Sequence, residues 1–331
     1  MKTLIENFTK QLSEAILIGE RSKLNASHLK ISNILISGLG GSGIGGTIVS
    51  EITSKISKVP ILVNKDYFLP TFVNEHSLVI ISSYSGNTEE TLQAFEEALQ
   101  RKAKITCITS GGKILDKAIE TGTDYILLPG GMPPRACLGY SFTELFYVLQ
   151  FHQIIGPEYI SYIQDAIVML DACEMEIRML ASQIANRIKG SMPVLYSAAG
   201  TEGVVVRFRQ QLNENAKILC WHHVIPEMNH NELVGWTNKN ENLSVIIFRN
   251  ENDYYRTQKR TNIVRDVVLG FTSNVLEIFS KGENAVERAL YFVHLGDWVS
   301  YYLAELRGVD VMEVKIIDFL KKSLEKIEES K

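Results

Sequence analysis

Short apolar runs rich in β-branched residues alternate along the chain with longer stretches in which apolar positions recur every three or four residues. In the first half the runs are NILISGL (33–39), ILVNK (61–65), LVIISS (78–83), KITCITS (104–110) and YILLPG (125–130), and helical spacing sets in near Gly43, Glu89, Lys113 and Ser141. Short runs bounded by Gly, Pro, Asn and Ser read as strands, and the helical stretches read as crossovers between them. Strand and helix in turn predict a mainly parallel sheet with helices on both faces. A helical pattern with few Gly or Pro then covers 159–189 and predicts a long helix bridging two domains. The second half repeats the outline: strand VLYSAAG (194–200), helix from Gly203, strand SVIIF (244–248), helix 253–269, strand NVLEIF (274–279) and a long helix over 284–306. Each half opens with a strand, a Gly-containing turn and a helix, ISGLGGSGIGG against YSAAGTEGVVV. That repetition predicts an α/β protein of two related αβα sandwiches. We divide it at 1–152 and 153–331, the second part carrying the linking helix and a charge-rich C-terminal helix, KKSLEKIEES, with a solvated face.

Length agrees with this division, since 331 residues exceed what one core usually accommodates. Apolar residues make up 45% and charged residues 22%, an ordinary globular balance. The net charge of −4, with basic residues scattered, argues against a nucleic-acid partner, so an anionic ligand would have to be caught locally by loops. Cys107, Cys137, Cys173 and Cys220 lie far apart without C-x-x-C pairing, which disfavours a zinc ribbon and a disulfide framework and fits a reducing, cytoplasmic location. The N-terminal MKTLIENFTKQLSEAIL places Glu6 and Lys10 inside its apolar pattern and reads as an amphipathic helix rather than a signal peptide or membrane anchor.

Two loops carry candidate chemistry. In GLGGSGIGG, Gly38, Gly40 and Gly43 satisfy G-x-G-x-x-G, the dinucleotide fingerprint, but the next strand ends in Asn64 and Lys65, with Asp66 only beyond, so the ribose-binding acid is out of place. The second loop, SSYSGNTEETL, gathers Ser83, Ser85 and Thr88 before a helix. Adjacent strands at a topological switch point put such loops into one crevice. Free N–H groups and positive partial charge at two helix N-termini, completed by hydroxyls, describe a phosphate cradle. The competing reading is that these residues only form the turn and cap the helix.

GLGGSGIGG, SSYSGNTEETL, GGMPPRACLGY, QLNENAK and PEMNHNELVGW occur in an order and spacing that resemble the bifunctional phosphoglucose/phosphomannose isomerase family, built of two sugar isomerase (SIS) domains. The likeness spans nearly the whole chain. It implies a metal-independent and cofactor-free aldose–ketose isomerase of hexose 6-phosphates, acting as a homodimer with shared active sites. By matching motif, Gly41, Ser42, Ser83, Ser85 and Thr88 would grip the phosphate and Arg135 would lie near the reacting carbons. Glu214 would be the base, and His230, supplied by the partner subunit, would act in ring opening. A lysine of the last helix would join them; Lys321 is our choice over Lys315 and Lys322. The family reads D-P-T-P before that helix where this chain reads DVMEV, which puts tolerance of the C2 epimer in question.

The chemistry needs these residue types. Moving a proton between C2 and C1 of an open-chain sugar requires a base on one face, and a carboxylate tucked into a turn can be desolvated toward a neutral pKa. Arg135 keeps its charge and suits stabilisation of an enediolate, whereas an imidazole such as that of His230 can both accept and donate a proton and suits ring opening. Removing C2–H from either epimer gives the same enediol, so one base could serve both hexoses. Against this stand a zinc site at His222, His223, Glu227 and His230, whose spacing matches no HExxH helix, and a non-catalytic phosphosugar sensor, which would have no use for Glu214 or His230. An isomerase of another sugar phosphate is a third reading. Trp221 and Trp236 read as packing residues, and Tyr84 could either stack on sugar or pack.

Overall fold

In a computed structural model that describes residues 1–324 and 326–327, two parallel sheets lie in sequence along the chain. The first has strands β1 (Asn33–Ser37), β2 (Ile61–Asn64), β3 (Ser77–Ser82), β4 (Lys104–Thr109) and β5 (Asp124–Leu127) in the order β2-β1-β3-β4-β5. The second has β6 (Met192–Ala198), β7 (Trp221–Ile225), β8 (Leu243–Arg249) and β9 (Val275–Phe279) in the order β7-β6-β8-β9. Every pairing is parallel, so each connection crosses over a face, mostly as a helix.

Side-chain alternation sorts the strands into three cores. Ile34, Ile36, Leu78 and Ile80 of the first sheet and Leu195, Ile246 and Phe248 of the second share one buried cluster. Their in-between neighbours Leu35, Val79 and Ile81 belong to a second cluster, and Val194, Tyr196, Val245 and Ile247 to a third. A period of two, with both faces apolar, is what a doubly covered parallel sheet requires. The outer faces are covered by α4 (Glu89–Gln100) and α5 (Gly112–Thr121) on the first sheet and α9 (Tyr255–Val268) on the second. The shared core is filled by α2 (Phe8–Arg21), α3 (Gly40–Thr53), α6 (Leu138–Phe151), α7 (Glu158–Ile188), α8 (Glu202–Glu214) and α10 (Ala285–Arg307). The bridging role expected of the long helix is met by α7, which packs on α10 in one direction and on α2 and α6 in the other.

Three details depart from the sequence reading. The N-terminal helix is broken at Asn7 into α1 (Lys2–Glu6) and α2. The second sheet has a strand, β7, where the sequence suggested only a polar cluster; as an edge strand it is half-buried and lacks the apolar alternation that betrays the others. Helix α11 (Lys315–Leu324) has no buried residue, and its apolar side chains Ile316, Phe319 and Leu320 stand exposed with its charges. No helix among the described residues is long and apolar enough to cross a membrane.

Candidate active site

The order β2-β1-β3-β4-β5 reverses direction between β1 and β3, and the crevice outside the carboxyl ends of these two strands is where doubly wound sheets hold ligands. The chain leaves β1 into α3 and leaves β3 through residues 83–88 into α4. At two glycines of the turn into α3 nothing larger fits. A Cβ on Gly43 would lie 2.1 Å from the Gly38 carbonyl oxygen, and one on Gly41 would lie 2.9 Å from that of Pro134. Two hydrogen bonds staple the loops together: Ser82 Oγ donates to the Ser42 carbonyl at 3.1 Å, and the Tyr84 N–H donates to Ser42 Oγ at 3.0 Å.

The hydroxyls here do not cap helices. Neither α3 nor α4 receives a side-chain cap, although Thr88 occupies the N-cap position of α4. Instead Ser83 donates to Thr88 Oγ1 at 3.3 Å, and Ser85 Oγ accepts the Asn87 N–H at 3.3 Å. Ser42, Ser85 and Thr88 therefore each accept a hydrogen bond while no acceptor meets their own hydroxyl hydrogens among the described residues. Two uncapped helix N-termini and three undirected O–H donors at one switch point are the donor groups that an anion could accept from. Tyr84 is not among them. Its ring is buried and its hydroxyl donates to the Pro129 carbonyl at 2.7 Å, so it packs.

Gly41 touches the 3₁₀ turn Pro134–Ala136, and this contact brings Arg135 beside the first loop. Arg135 is 5% exposed, and its guanidinium is divided among four partners. Nε donates to Asn215 Oδ1 at 2.8 Å, and Nη2 donates to the Val311 and Met312 carbonyls at 2.9 and 3.3 Å. Nη1 faces Glu214 Oε2 at 3.6 Å, an ion pair without a hydrogen bond. Burial lowers the pKa of this guanidinium and the Glu214 carboxylate opposes that shift. Glu214 ends α8 with its side chain a quarter exposed, while Asn215 behind it is fully buried. Lys217 also lies here: burial first, then the Arg135 charge, lowers its pKa, and its ammonium donates to the Glu214 carbonyl.

The structure thus brings Gly41, Ser42, Ser83, Ser85 and Thr88 together and sets Arg135 and Glu214 next to them. It does not bring up the other two predicted residues within one chain. His230 and Lys321 are exposed, and no hydrogen bond or ion pair joins either to Glu214 or Arg135 among the described residues. His230 ends a 3₁₀ turn whose neighbouring segment is pinned by Glu232, which accepts from Tyr196 Oη and from Trp221 Nε1, with Trp236 Nε1 donating to Tyr196 Oη at 3.1 Å. Both tryptophans therefore pack, as their sequence context suggested. His222 lies 3.0 Å from Arg209 Nη1, and His223 Nδ1 accepts the adjacent Val224 N–H. Among the described residues no three His, Cys, Asp or Glu side chains converge as metal ligands would. A cavity of about 620 Å³ between α2 and β5 is lined by none of the groups above.

Asn215, Lys217, Arg207 and the carbonyls of Val311 and Met312 went unnoticed in the sequence. Their one available signal was the spacing Arg207, Gln211, Asn215, a polar stripe at intervals of four, which normally marks the solvated face of a helix. Here all three are buried.

Comparison with known proteins accords with this geometry. Residues 29–127 match the SIS domain family, and residues 178–324 match the bacterial phospho-glucose isomerase C-terminal SIS domain. A protein of Caldicellulosiruptor bescii named bifunctional phosphoglucose/phosphomannose isomerase is 36% identical over 98% of this chain and 99% of its own length. One of the same name from Aquifex aeolicus is 38% identical over 81% of this chain and 82% of its own. Among solved structures, the C-terminal domain of glucosamine-fructose-6-phosphate aminotransferase from Francisella tularensis shares the fold, with a TM-score of 0.75 at 14% identity, covering 94% of this chain and 96% of that one. The chain is an α/β protein of two SIS domains and belongs to the bifunctional phosphoglucose/phosphomannose isomerase family of enzymes.

Proposed function

We propose that this chain interconverts glucose 6-phosphate, and mannose 6-phosphate, with fructose 6-phosphate through an enediolate, without a metal ion. The observation that carries the reading is Glu214 Oε2 held 3.6 Å from Arg135 Nη1, with Arg135 on the 3₁₀ turn that packs against Gly41. In this reading the phosphoryl group sits on the N-termini of α3 and α4, taking hydrogen bonds from Ser42, Ser85 and Thr88, with Ser83 behind Thr88 and the Gly41 backbone against it. The sugar then extends over Arg135. Glu214 takes the proton from C2 and returns it to C1, and the fixed positive charge of Arg135 stabilises the oxyanion that develops between the two transfers. Its pairing with Glu214 without a hydrogen bond leaves the Nη1 hydrogens available to the substrate. His230 from a second subunit opens the ring, and Lys321 joins from α11. Pairing of two chains is supported by the exposed apolar side chains of α11 and by the exposure of His230, which a single chain leaves without a task. The division of the chain at 152–153, in the connection between α6 and α7, is part of the same reading.

A coupled assay for fructose 6-phosphate from either hexose ester, with and without EDTA, tests it. Both substrates are expected to react, chelator to change nothing, and Glu214→Gln to lower kcat by about 10²- to 10⁴-fold. Activity abolished by EDTA, or an active Glu214→Gln variant, would contradict the proposal. Mixing Glu214→Gln with His230→Ala should restore activity at up to about a quarter of the wild-type sites if a two-fold dimer shares its sites, and none if each chain is self-sufficient.

A further inference from the structure

Arg135 is anchored at its main chain and its side chain by one buried network from the second half of the protein. Arg207 Nη2 donates to the Arg135 carbonyl at 2.6 Å and to Asp297 at 3.1 and 3.2 Å, and Gln211 Nε2 donates to the same carboxylate at 2.6 Å. Asn215 closes the network. Its Oδ1 accepts from Arg135 Nε at 2.8 Å and its Nδ2 donates to Ser300 Oγ at 2.9 Å, while Ser300 donates its own hydrogen to the Asp297 carbonyl at 2.8 Å. The amide can adopt only this orientation. A guanidinium can only donate, so the oxygen must face Arg135; the Ser300 hydrogen is already committed, so the nitrogen must face Ser300. Position 215 therefore needs a side chain that accepts at one end, donates at the other and carries no charge.

We propose that Asn215 is a positioning residue that fixes the rotation of the Arg135 guanidinium, so that Nη1 alone points at Glu214 and the substrate. The inference rests on the isomerase reading above. Holding Nε and Nη2 leaves the two Nη1 hydrogens as the only donors of Arg135 that can meet an oxyanion. Releasing Nε would let the fork rotate and form a bidentate pair with Glu214, which would tie up the base. The charged groups around Glu214 are Arg135 and Lys217, with Asp310 and Glu313 beyond and Arg207 behind. An added carboxylate at 215 would oppose both cations and make proton loss from the base harder.

The test is steady-state kinetics of the full chain with glucose 6-phosphate across the acid limb of the pH profile, rates being normalised to the folded fraction from thermal melts. N215D is expected to hold KM within about threefold, to lower kcat about 10- to 100-fold, and to move the acid limb of kcat/KM upward by about one pH unit. N215A should lower kcat comparably without moving the limb. Ser300→Ala, which frees the amide but leaves Asn215 in place, should lower kcat by a few-fold and carries the test if the position-215 variants do not fold. Wild-type kcat and acid limb in N215D, losses that merely track unfolding, or wild-type kcat in Ser300→Ala when it stands alone would each overturn the inference. A wild-type chain inactive on both hexose esters would overturn the isomerase reading instead.

Discussion

The two sheets repeat one topology, yet their switch points have opposite characters. Between β1 and β3 two helices begin without side-chain caps and undirected hydroxyls face the crevice. At the corresponding point between β6 and β8, α8 begins with Glu202 in its first turn, and both carboxylate oxygens of Glu51 from α3 accept the Gly203 N–H at 2.9 and 3.0 Å. A Cβ on Gly203 would meet the Ile48 backbone nitrogen at 3.1 Å, so only glycine lets α3 and α8 approach this closely. One switch point leaves hydroxyl donors undirected among the described residues; the other is filled by the carboxyl group of Glu51. Helix N-terminal N–H groups are left without side-chain caps at one switch point and are bonded across the two halves at the other. Since α3 lines the open site at its start and closes the second with Glu51, and α8 starts at the closed site and ends at Glu214, the closed switch point fixes the distance between the two loops proposed to hold phosphate and the proposed base.

The sharpest way to break the comparison is at the open site. Ser83→Ala combined with Thr88→Val should raise KM for glucose 6-phosphate by about 10- to 100-fold with kcat changed by only a few-fold, because in the proposed reading Thr88, backed by Ser83, holds the ester group in ground and transition states alike. Thr201→Ala, at the N-cap position of α8 in the closed site, should leave KM within about twofold. Equal effects at both sites would show that the distinction is false.

A smaller effect tests the seal itself. Burial raises the Glu51 carboxyl from an ordinary 4.5 to about 8, so the folded chain binds this proton more tightly than the unfolded chain. Its contribution to stability is complete below about pH 4.5 and disappears as pH rises through about 8. Glu51→Gln keeps an acceptor for Gly203 and cannot ionise. Its Tm relative to wild type should therefore increase between about pH 5 and pH 9, by a few degrees. A difference that stays constant or shrinks over this range would mean that the carboxyl is not buried against α8.

Much of this was legible in the sequence. The strands of the first sheet carry short apolar runs rich in β-branched residues, and the glycines at 38–46 and the hydroxyls at 83–88 announced two loops at strand ends. The β7 strand, WHHVI, was not legible, because an edge strand half-covered by polar neighbours loses the alternation that marks a buried one. Nor was the break at Asn7, since the apolar pattern continues across it. Glu51 and Asn215 escaped for a common reason: each acts on a partner more than 70 residues away, Glu51 on Gly203 and Asn215 on Arg135, and no local pattern encodes such a pairing. Glu214 was singled out through its motif, but nothing in that motif indicated that Arg135 would face it with one nitrogen only.

The most direct measurement is a crystal structure of the protein soaked with a hexose 6-phosphate. The account predicts the phosphoryl group against Ser83, Ser85 and Thr88 with the sugar carbons beside Arg135 and Glu214. A phosphoryl group at the N-terminus of α8 with Glu51 displaced, and the β1–β3 crevice left to solvent, would contradict it.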